Sequence, residues 1–146
     1  MLSSAPFSLV NEMFEAPEVL RRFDKDNVVE WAETIGVLRR LLVSGEGSSR
    51  IFPAKNLMDR ALRTGCPWEI RTEGARQAAE YDLNGFVVLA ASNSGQTREV
   101  IALLEKLSKD DIPCYGVTAT AGSRMTQVVA DLRLLTCGEE KAVASS

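Results

Sequence analysis

The chain has 146 residues, of which 45% are apolar and 25% charged, with a formal net charge of −3. This composition is typical of one globular domain, and the acidic balance argues against a nucleic-acid-binding surface. The absence of histidine excludes Ser-His-Asp and Cys-His nucleophiles and histidine metal sites within this chain. No apolar run approaches the roughly 18 residues of a membrane span, and residues 1–9 lack the basic region of a signal peptide.

The three cysteines are Cys66, Cys114 and Cys137, and no CxxC motif occurs. Their odd number and wide separation predict reduced, buried thiols in a cytoplasmic protein rather than a disulfide framework. We expect neither a metal ion nor a cofactor.

The first 26 residues are predicted to form an N-terminal extension that contains one short helix. That helix is expected to begin at Pro17, because a proline in the first turn loses no helical hydrogen bond. Apolar residues at three- to four-residue spacing then predict an amphipathic helix over residues 27–40, capped by Asp26 or Asn27. Residues 27–146 are therefore expected to form the main domain.

Short apolar runs alternate with helical segments through the rest of the chain. This pattern is typical of a parallel sheet covered by helices on both faces, with right-handed crossovers. We therefore predict an α/β fold, a three-layer sandwich with a five-stranded parallel sheet of the flavodoxin type. The predicted strands are residues 41–44, 67–71, 86–91, 114–118 and 131–136, and the helices between them end near residue 64 or span residues 73–81, 98–109 and 125–129.

Two loops stand where a parallel sheet binds ligands, at the carboxyl ends of its strands. Their sequences are GEGSS at residues 45–49 and SNSGQT at residues 92–97. Glycine allows a tight turn, and the helix that follows presents unpaired N–H groups and the positive end of its dipole. With the added hydroxyl groups, the loops predict a phosphate-type anion site. The candidate residues are Gly45, Gly47, Ser48, Ser49, Ser92, Asn93, Ser94, Gly95 and Thr97.

An anion site is not the sole role that such loops can have. Ordinary turns and helix caps use the same residue types, so a purely structural role is open as well. A dinucleotide fingerprint would need a third glycine where Arg50 stands, so an atypical nucleotide-binding domain is the weaker alternative. No P-loop is present, and no histidine could activate Ser94 as a nucleophile.

Three charged residues near the loops have two interpretations each. Arg50 and Arg98 follow the loops and either approach a bound phosphate or lie on a solvated helical turn. Glu73 is expected to open the helix after the second strand. A carboxylate is favourable there through the helix dipole alone, so Glu73 is only a weak candidate for a catalytic base.

The two loops, together with three further segments, resemble the sugar isomerase (SIS) domain family. The further segments are NEMFEAPEVLRR at residues 11–22, CPWEIRTEGAR at residues 66–76 and GEEKAVASS at residues 138–146. The similarity is greatest to the first SIS domain in the isomerase half of glucosamine-6-phosphate synthase-like proteins, and it covers residues 11–146.

The resemblance implies a homodimer that binds a phosphorylated sugar, such as a hexose phosphate or an amino-sugar phosphate. It implies an enzyme that isomerises ketose and aldose phosphates, or an aminotransferase or deglycase; a non-catalytic phosphosugar sensor is the alternative. In family members the loop hydroxyl groups bind the phosphate, and a later Val-Ala-Ser segment contacts the sugar. Carried over, these positions are Ser48, Ser49, Ser92, Asn93, Ser94, Thr97, Val143, Ala144 and Ser145.

Overall fold

The computed structural model describes residues 8–129 and 131–135. Five parallel strands form one sheet in the order β2-β1-β3-β4-β5, which confirms the predicted three-layer α/β sandwich. The strands are β1 (Arg40–Gly45), β2 (Glu69–Gly74), β3 (Val87–Ala91), β4 (Cys114–Thr118) and β5 (Leu132–Leu134). The helices are α1 (Ser8–Arg22), α2 (Val29–Leu38), α3 (Ser48–Thr64), α4 (Ala75–Ala78), α5 (Arg98–Lys109) and α6 (Met125–Val128).

Each face of the sheet buries its own apolar cluster. Successive residues of a strand point to opposite faces, so Leu42 packs with α4, α5 and α6, whereas Leu41 and Val43 pack with α2 and α3. The apolar side of α5 supplies Leu103 and Leu104, which are completely buried. Burial on both faces explains why the central strands are continuously apolar in sequence.

The second strand lies later in the chain than the sequence pattern predicted. We expected residues 67–71, followed by a helix over residues 73–81, but β2 runs to Gly74 and α4 has only four residues. Each residue of β2 pairs with β1 in register up to Gly45 and Gly74. Pairing with β1 therefore outweighs the local helical preference, and Glu73 belongs to a strand rather than to a helix start.

The N-terminal helix is longer than expected. It extends over Ser8–Arg22 with Pro17 in its interior, so Pro17 does not begin it. The surrounding residues are exposed, and water can therefore satisfy the carbonyl group that lacks a proline N–H partner. Glu18 forms ion pairs with Arg21 and Arg22, and the hydrogen bond from Arg21 is the main reason that the pKa of Glu18 is lowered. The domain boundary near residue 26 stays a prediction.

The cap of the next helix also differs from the prediction. A 3₁₀ turn at Lys25–Val28 precedes α2, and the side chain of Asp24 accepts the N–H of Asp26. Asp24 therefore caps the 3₁₀ turn, whereas α2 begins after Val28 with no described side chain as its cap. Neither Asp26 nor Asn27 is the cap of α2, contrary to the sequence prediction.

The edge strand β2 carries charged side chains in place of an apolar face. Glu69 forms ion pairs with Arg40 and Arg71, and its hydrogen bond with Arg40 is the main reason that its pKa is lowered. Charged residues on an edge strand discourage pairing with other chains. They also made this strand harder to detect from its sequence.

The cysteines are less buried than expected. Cys66 and Cys114 are free thiols and only half-buried. Cys66 lies in the connection after α3, and Cys114 is the first residue of β4. Burial raises the pKa of Cys114, which keeps its thiol protonated and weakly reactive. Cys137 lies outside the described residues, as does residue 136 at the end of the predicted fifth strand.

Candidate anion-binding site

The two glycine and serine loops begin side by side in the middle of the sheet. β1 and β3 are neighbours, and Gly45 pairs with Ala91 at their carboxyl ends. The chain leaves β1 towards β2 and leaves β3 towards β4, so their connections diverge. This is the topological switch point at which open α/β sheets form a ligand crevice.

The first loop requires glycine where it leaves β1. Gly45 has a φ of +156°, and a Cβ atom there would lie 2.6 Å from the carbonyl oxygen of Ala91. Gly47 precedes α3 with a φ of 55°, and no described side chain caps that helix. Ser48 and Ser49 are half-buried in its first turn, and their hydroxyl groups bond to no other described residue. The N-terminus of α3 thus keeps its donors for a ligand.

The second loop is held together by its own hydroxyl groups. Ser92 Oγ accepts the Gly95 N–H at 3.1 Å and lies 2.9 Å from Thr97 Oγ1. Ser94 is exposed, and its hydroxyl oxygen accepts the N–H of Gln96. Ordinary turn chemistry therefore accounts for the hydroxyl groups of Ser92 and Thr97, whereas Ser94 remains exposed and Asn93 is half-buried.

A third loop, between β4 and α6, packs against the second. Ala119 donates its N–H to the carbonyl oxygen of Asn93, and Met125 donates its N–H to that of Gly95. Thr118 and Thr120 add their hydroxyl groups to the Asn93 carbonyl at 3.0 and 3.1 Å. Sequence reasoning missed this loop. The available signal was Thr118, a polar residue at the end of an apolar strand, comparable to Ser44 near the end of β1.

Arg50 lies beside the first loop with its charge unpaired. Its Nη1 donates to Thr72 Oγ1 at 3.3 Å, and its Nε is buried without an acceptor among the described residues. No described carboxylate pairs with it. Because burial of an unpaired charge is unfavourable, the guanidinium is available to an anionic ligand. Arg98, by contrast, is exposed at the start of α5.

Two buried hydroxyl groups near the loops have no partner in the described part of the chain. They belong to Ser44, the residue before Gly45, and to Ser123, which lies against Gly95. Both side chains are at most 1% exposed. Buried hydroxyl groups normally form hydrogen bonds, so these two retain the capacity for a further partner.

Glu73 and the Val-Ala-Ser segment are the remaining candidates. Glu73 is half-buried and pairs in register with Ser44, which places its backbone beside the end of β1. Glu46 of the first loop accepts the N–H of Ala75 and so caps α4. Val143, Ala144 and Ser145 lie outside the described residues.

Comparisons with solved structures support the resemblance seen in the sequence. The NanR protein of Vibrio vulnificus, complexed with ManNAc-6P, matches with a TM-score of 0.65 and 20% identity over 88% of this chain. The Escherichia coli CFT073 protein c3406, in complex with A5P, matches with a TM-score of 0.63 and 26% identity over 88% of this chain. The sugar isomerase domain of an RpiR transcription factor from Sphaerobacter thermophilus matches with a TM-score of 0.63 and 15% identity over 87%.

These matches show that the chain has the fold of sugar isomerase domains, as its motifs predicted. It spans 49% of the NanR chain, 69% of c3406 and 72% of the RpiR chain. No protein-family profile and no curated protein matches the sequence.

Membrane-spanning helices and metal clusters are both absent from residues 8–129 and 131–135. No helix there is long and apolar enough to cross a membrane. No group of three or more Cys, Asp or Glu side chains there is placed to hold a metal ion.

Proposed function

We propose that this chain is a phosphosugar-binding SIS domain. The observation that carries the proposal is the adjacency of the two loops at the ends of β1 and β3, together with the charge of Arg50, which has no partner among the described residues. An uncapped helix N-terminus, free serine hydroxyl groups and a guanidinium are the donors that a phosphate dianion prefers. Sugar phosphates bound to NanR and c3406, which share this fold, support the same chemistry.

Calorimetric titration with fructose 6-phosphate is the direct test. Fructose and inorganic phosphate serve as controls for the two halves of the ligand. Sub-millimolar affinity for fructose 6-phosphate, with weaker binding of both controls, is expected. Tight binding of NAD or ATP with no response to any sugar phosphate would instead support a nucleotide-binding domain.

Replacing Ser48 and Ser49 together with alanine should weaken sugar phosphate binding without unfolding the domain. Their hydroxyl groups bond to no other described residue, so removing them should reduce ligand affinity rather than stability. Two hydrogen bonds to a charged group predict a loss of affinity of roughly 100-fold or more, measured by calorimetry. The free energy of unfolding, measured in urea, should stay unchanged, as it should for the exposed control Ser108→Ala. A double variant that binds like the wild type would contradict this role for the first loop.

Replacing Arg50 with glutamine should reduce affinity for fructose 6-phosphate by roughly 10- to 100-fold, since a charge-assisted hydrogen bond is lost. The affinity of the wild type should also fall as salt is added. Arg98→Gln is the matched control, because Arg98 follows the second loop but is exposed. Equal losses for the two variants would show that only the overall charge of the domain matters.

We further propose that binding serves an enzyme acting on ketose or aldose phosphates, as an isomerase, an aminotransferase or a deglycase. Isomerisation needs a base placed beside the sugar carbons, and Glu73, beside the end of β1, is the candidate. A phosphosugar sensor is the alternative, favoured by the RpiR transcription factor that shares the fold. Interconversion of fructose 6-phosphate and glucose 6-phosphate that is lost in Glu73→Gln would support the enzyme, and binding without turnover would support the sensor.

We propose a homodimer in the cytoplasm. Phe52 and Leu62 of α3 are 73% and 82% exposed, so a second copy of the chain could cover them. Free thiols are compatible with a reducing compartment. Light scattering should report a dimer, and Leu62→Ser should shift the population towards monomer.

A further inference from the structure

The carbonyl group of Asn93 is unusually well fixed. It accepts three hydrogen bonds: from the hydroxyl groups of Thr118 and Thr120, and from the N–H of Ala119. A carbonyl oxygen has two lone pairs, so three donors saturate it. All three lie at the end of β4, on the side of β3 opposite β1.

This arrangement determines where the next N–H group points. No peptide bond in the described residues is cis, and in a trans peptide the C=O and N–H groups point in opposite directions. Because the Asn93 carbonyl faces the β4–α6 loop, the N–H of Ser94 faces away from it, towards the side on which β1 and its loop lie. No described residue accepts that N–H.

We infer that Thr118 and Thr120 are positioning residues for phosphate recognition, which aim the Ser94 N–H into the crevice by holding the Asn93 carbonyl. The inference rests on the proposed function and extends it to a loop that does not itself touch the ligand. A backbone donor fixed before binding needs no reorganisation when the anion arrives, and such preorganisation increases affinity. The β4–α6 loop thereby sets the geometry of the second anion-binding loop.

Thr120 is the residue on which the inference is best tested. It is exposed, so a change in its side chain disturbs no core packing, and its hydroxyl donates to Asn93. Thr120→Val keeps the shape and removes the donor, whereas Thr120→Ser keeps the donor. Thr34→Val is a matched control, because half-buried Thr34 donates its hydroxyl group to the carbonyl of Glu30 within α2, remote from the crevice in sequence.

Affinity of the full chain for fructose 6-phosphate should fall by roughly 2- to 10-fold in Thr120→Val, the effect of one hydrogen bond. Thr120→Ser and Thr34→Val should bind like the wild type. In amide NMR spectra, the Ser94 N–H of the wild type should shift when inorganic phosphate or fructose 6-phosphate is added. That shift should be smaller in Thr120→Val and restored in Thr120→Ser, which a purely structural role for Thr120 would not produce.

The outcomes separate this inference from the proposed function. If amides of residues 45–49 or 92–97 shift but Ser94 does not, or if Thr120→Val responds like the wild type, the positioning role is overturned alone. If no amide of either loop responds to phosphate or fructose 6-phosphate in the wild type, the proposed function fails and this inference fails with it.

Discussion

Replacing Gly95 with alanine should both destabilise the domain and abolish sugar phosphate binding. Gly95 has a φ of +60°, and a Cβ atom there would collide with the hydroxyl oxygen of Ser123 and lie 2.6 Å from Ser123 Cβ. Ser123 is 1% exposed and cannot easily move. We expect the free energy of unfolding to fall by about 1–2 kcal/mol because of the left-handed backbone and by about 1–3 kcal/mol because of crowding against Ser123.

The binding loss follows because the second loop must shift to relieve the collision. Its N–H groups would then no longer point into the crevice. Urea denaturation measures the first effect and calorimetry with fructose 6-phosphate the second, for which we expect no detectable binding.

Gly122→Ala is the matched control for backbone strain. Gly122 also has a positive φ, of 67°, but a Cβ atom there would meet no heavy atom within 4 Å. Gly122→Ala should therefore lower the free energy of unfolding only by the backbone contribution, and it should preserve sugar phosphate binding. A Gly122 variant as damaged as the Gly95 variant would show that crowding against Ser123 is unimportant. Adding Ser123→Gly to Gly95→Ala should recover part of the lost stability.

Replacing Trp31 with alanine should lower the free energy of unfolding by about 3–5 kcal/mol, the range for large aromatic residues in a core. Trp31 is 4% exposed and stacks on Tyr115 of β4, with ring centroids 4.7 Å apart. Its Nε1 donates to Asp131 at 2.7 Å, and the guanidinium of Arg133 lies 5.0 Å from its ring. One side chain thus joins α2 to the last two strands, and urea denaturation at constant pH measures its loss.

Trp31→Phe separates packing from hydrogen bonding. Phenylalanine keeps an aromatic ring against Tyr115 but cannot donate to Asp131. Because Asp131 also pairs with Arg133, it stays partly satisfied, and the loss of the donor should cost only about 1 kcal/mol, in addition to the smaller ring. A phenylalanine variant as unstable as the alanine variant would mean that the hydrogen bond, not packing, holds α2 in place.

The sheet was predictable from sequence wherever burial was complete. The runs at residues 41–44 and 86–91 are apolar because both faces of β1 and β3 are covered, and both strands formed where expected. The errors concern the boundaries of helices and strands, as at Glu73. Glu73 was assigned to a helix because local rules favour an acid at a helix start, and pairing with β1, which a single sequence does not reveal, extended the strand instead.

The site was predictable to the extent that it depends on strand ends. Parallel strands place their carboxyl ends at one edge, so the proximity of residues 45–49 and 92–97 followed from the fold. Two hydrogen bonds were not foreseeable, from Arg50 to Thr72 and from Thr120 to the Asn93 carbonyl. Each joins residues that only the folded chain brings together. Which serines contact a ligand stays a prediction.

The position of β1 between β2 and β3 has a consequence for the order in which the chain folds during synthesis. One neighbour of β1 is β3, in which Val87 pairs with Leu41. That side of β1 therefore stays unpaired until β3 has been synthesised. Such non-local parallel pairing is slow, and the N-terminal half of a chain leaves the ribosome first. Until β3 emerges, the nascent chain presents an apolar, half-paired strand, which is the kind of surface that chaperones cover. A ligand can therefore stabilise only the finished domain, after both loops have left the ribosome.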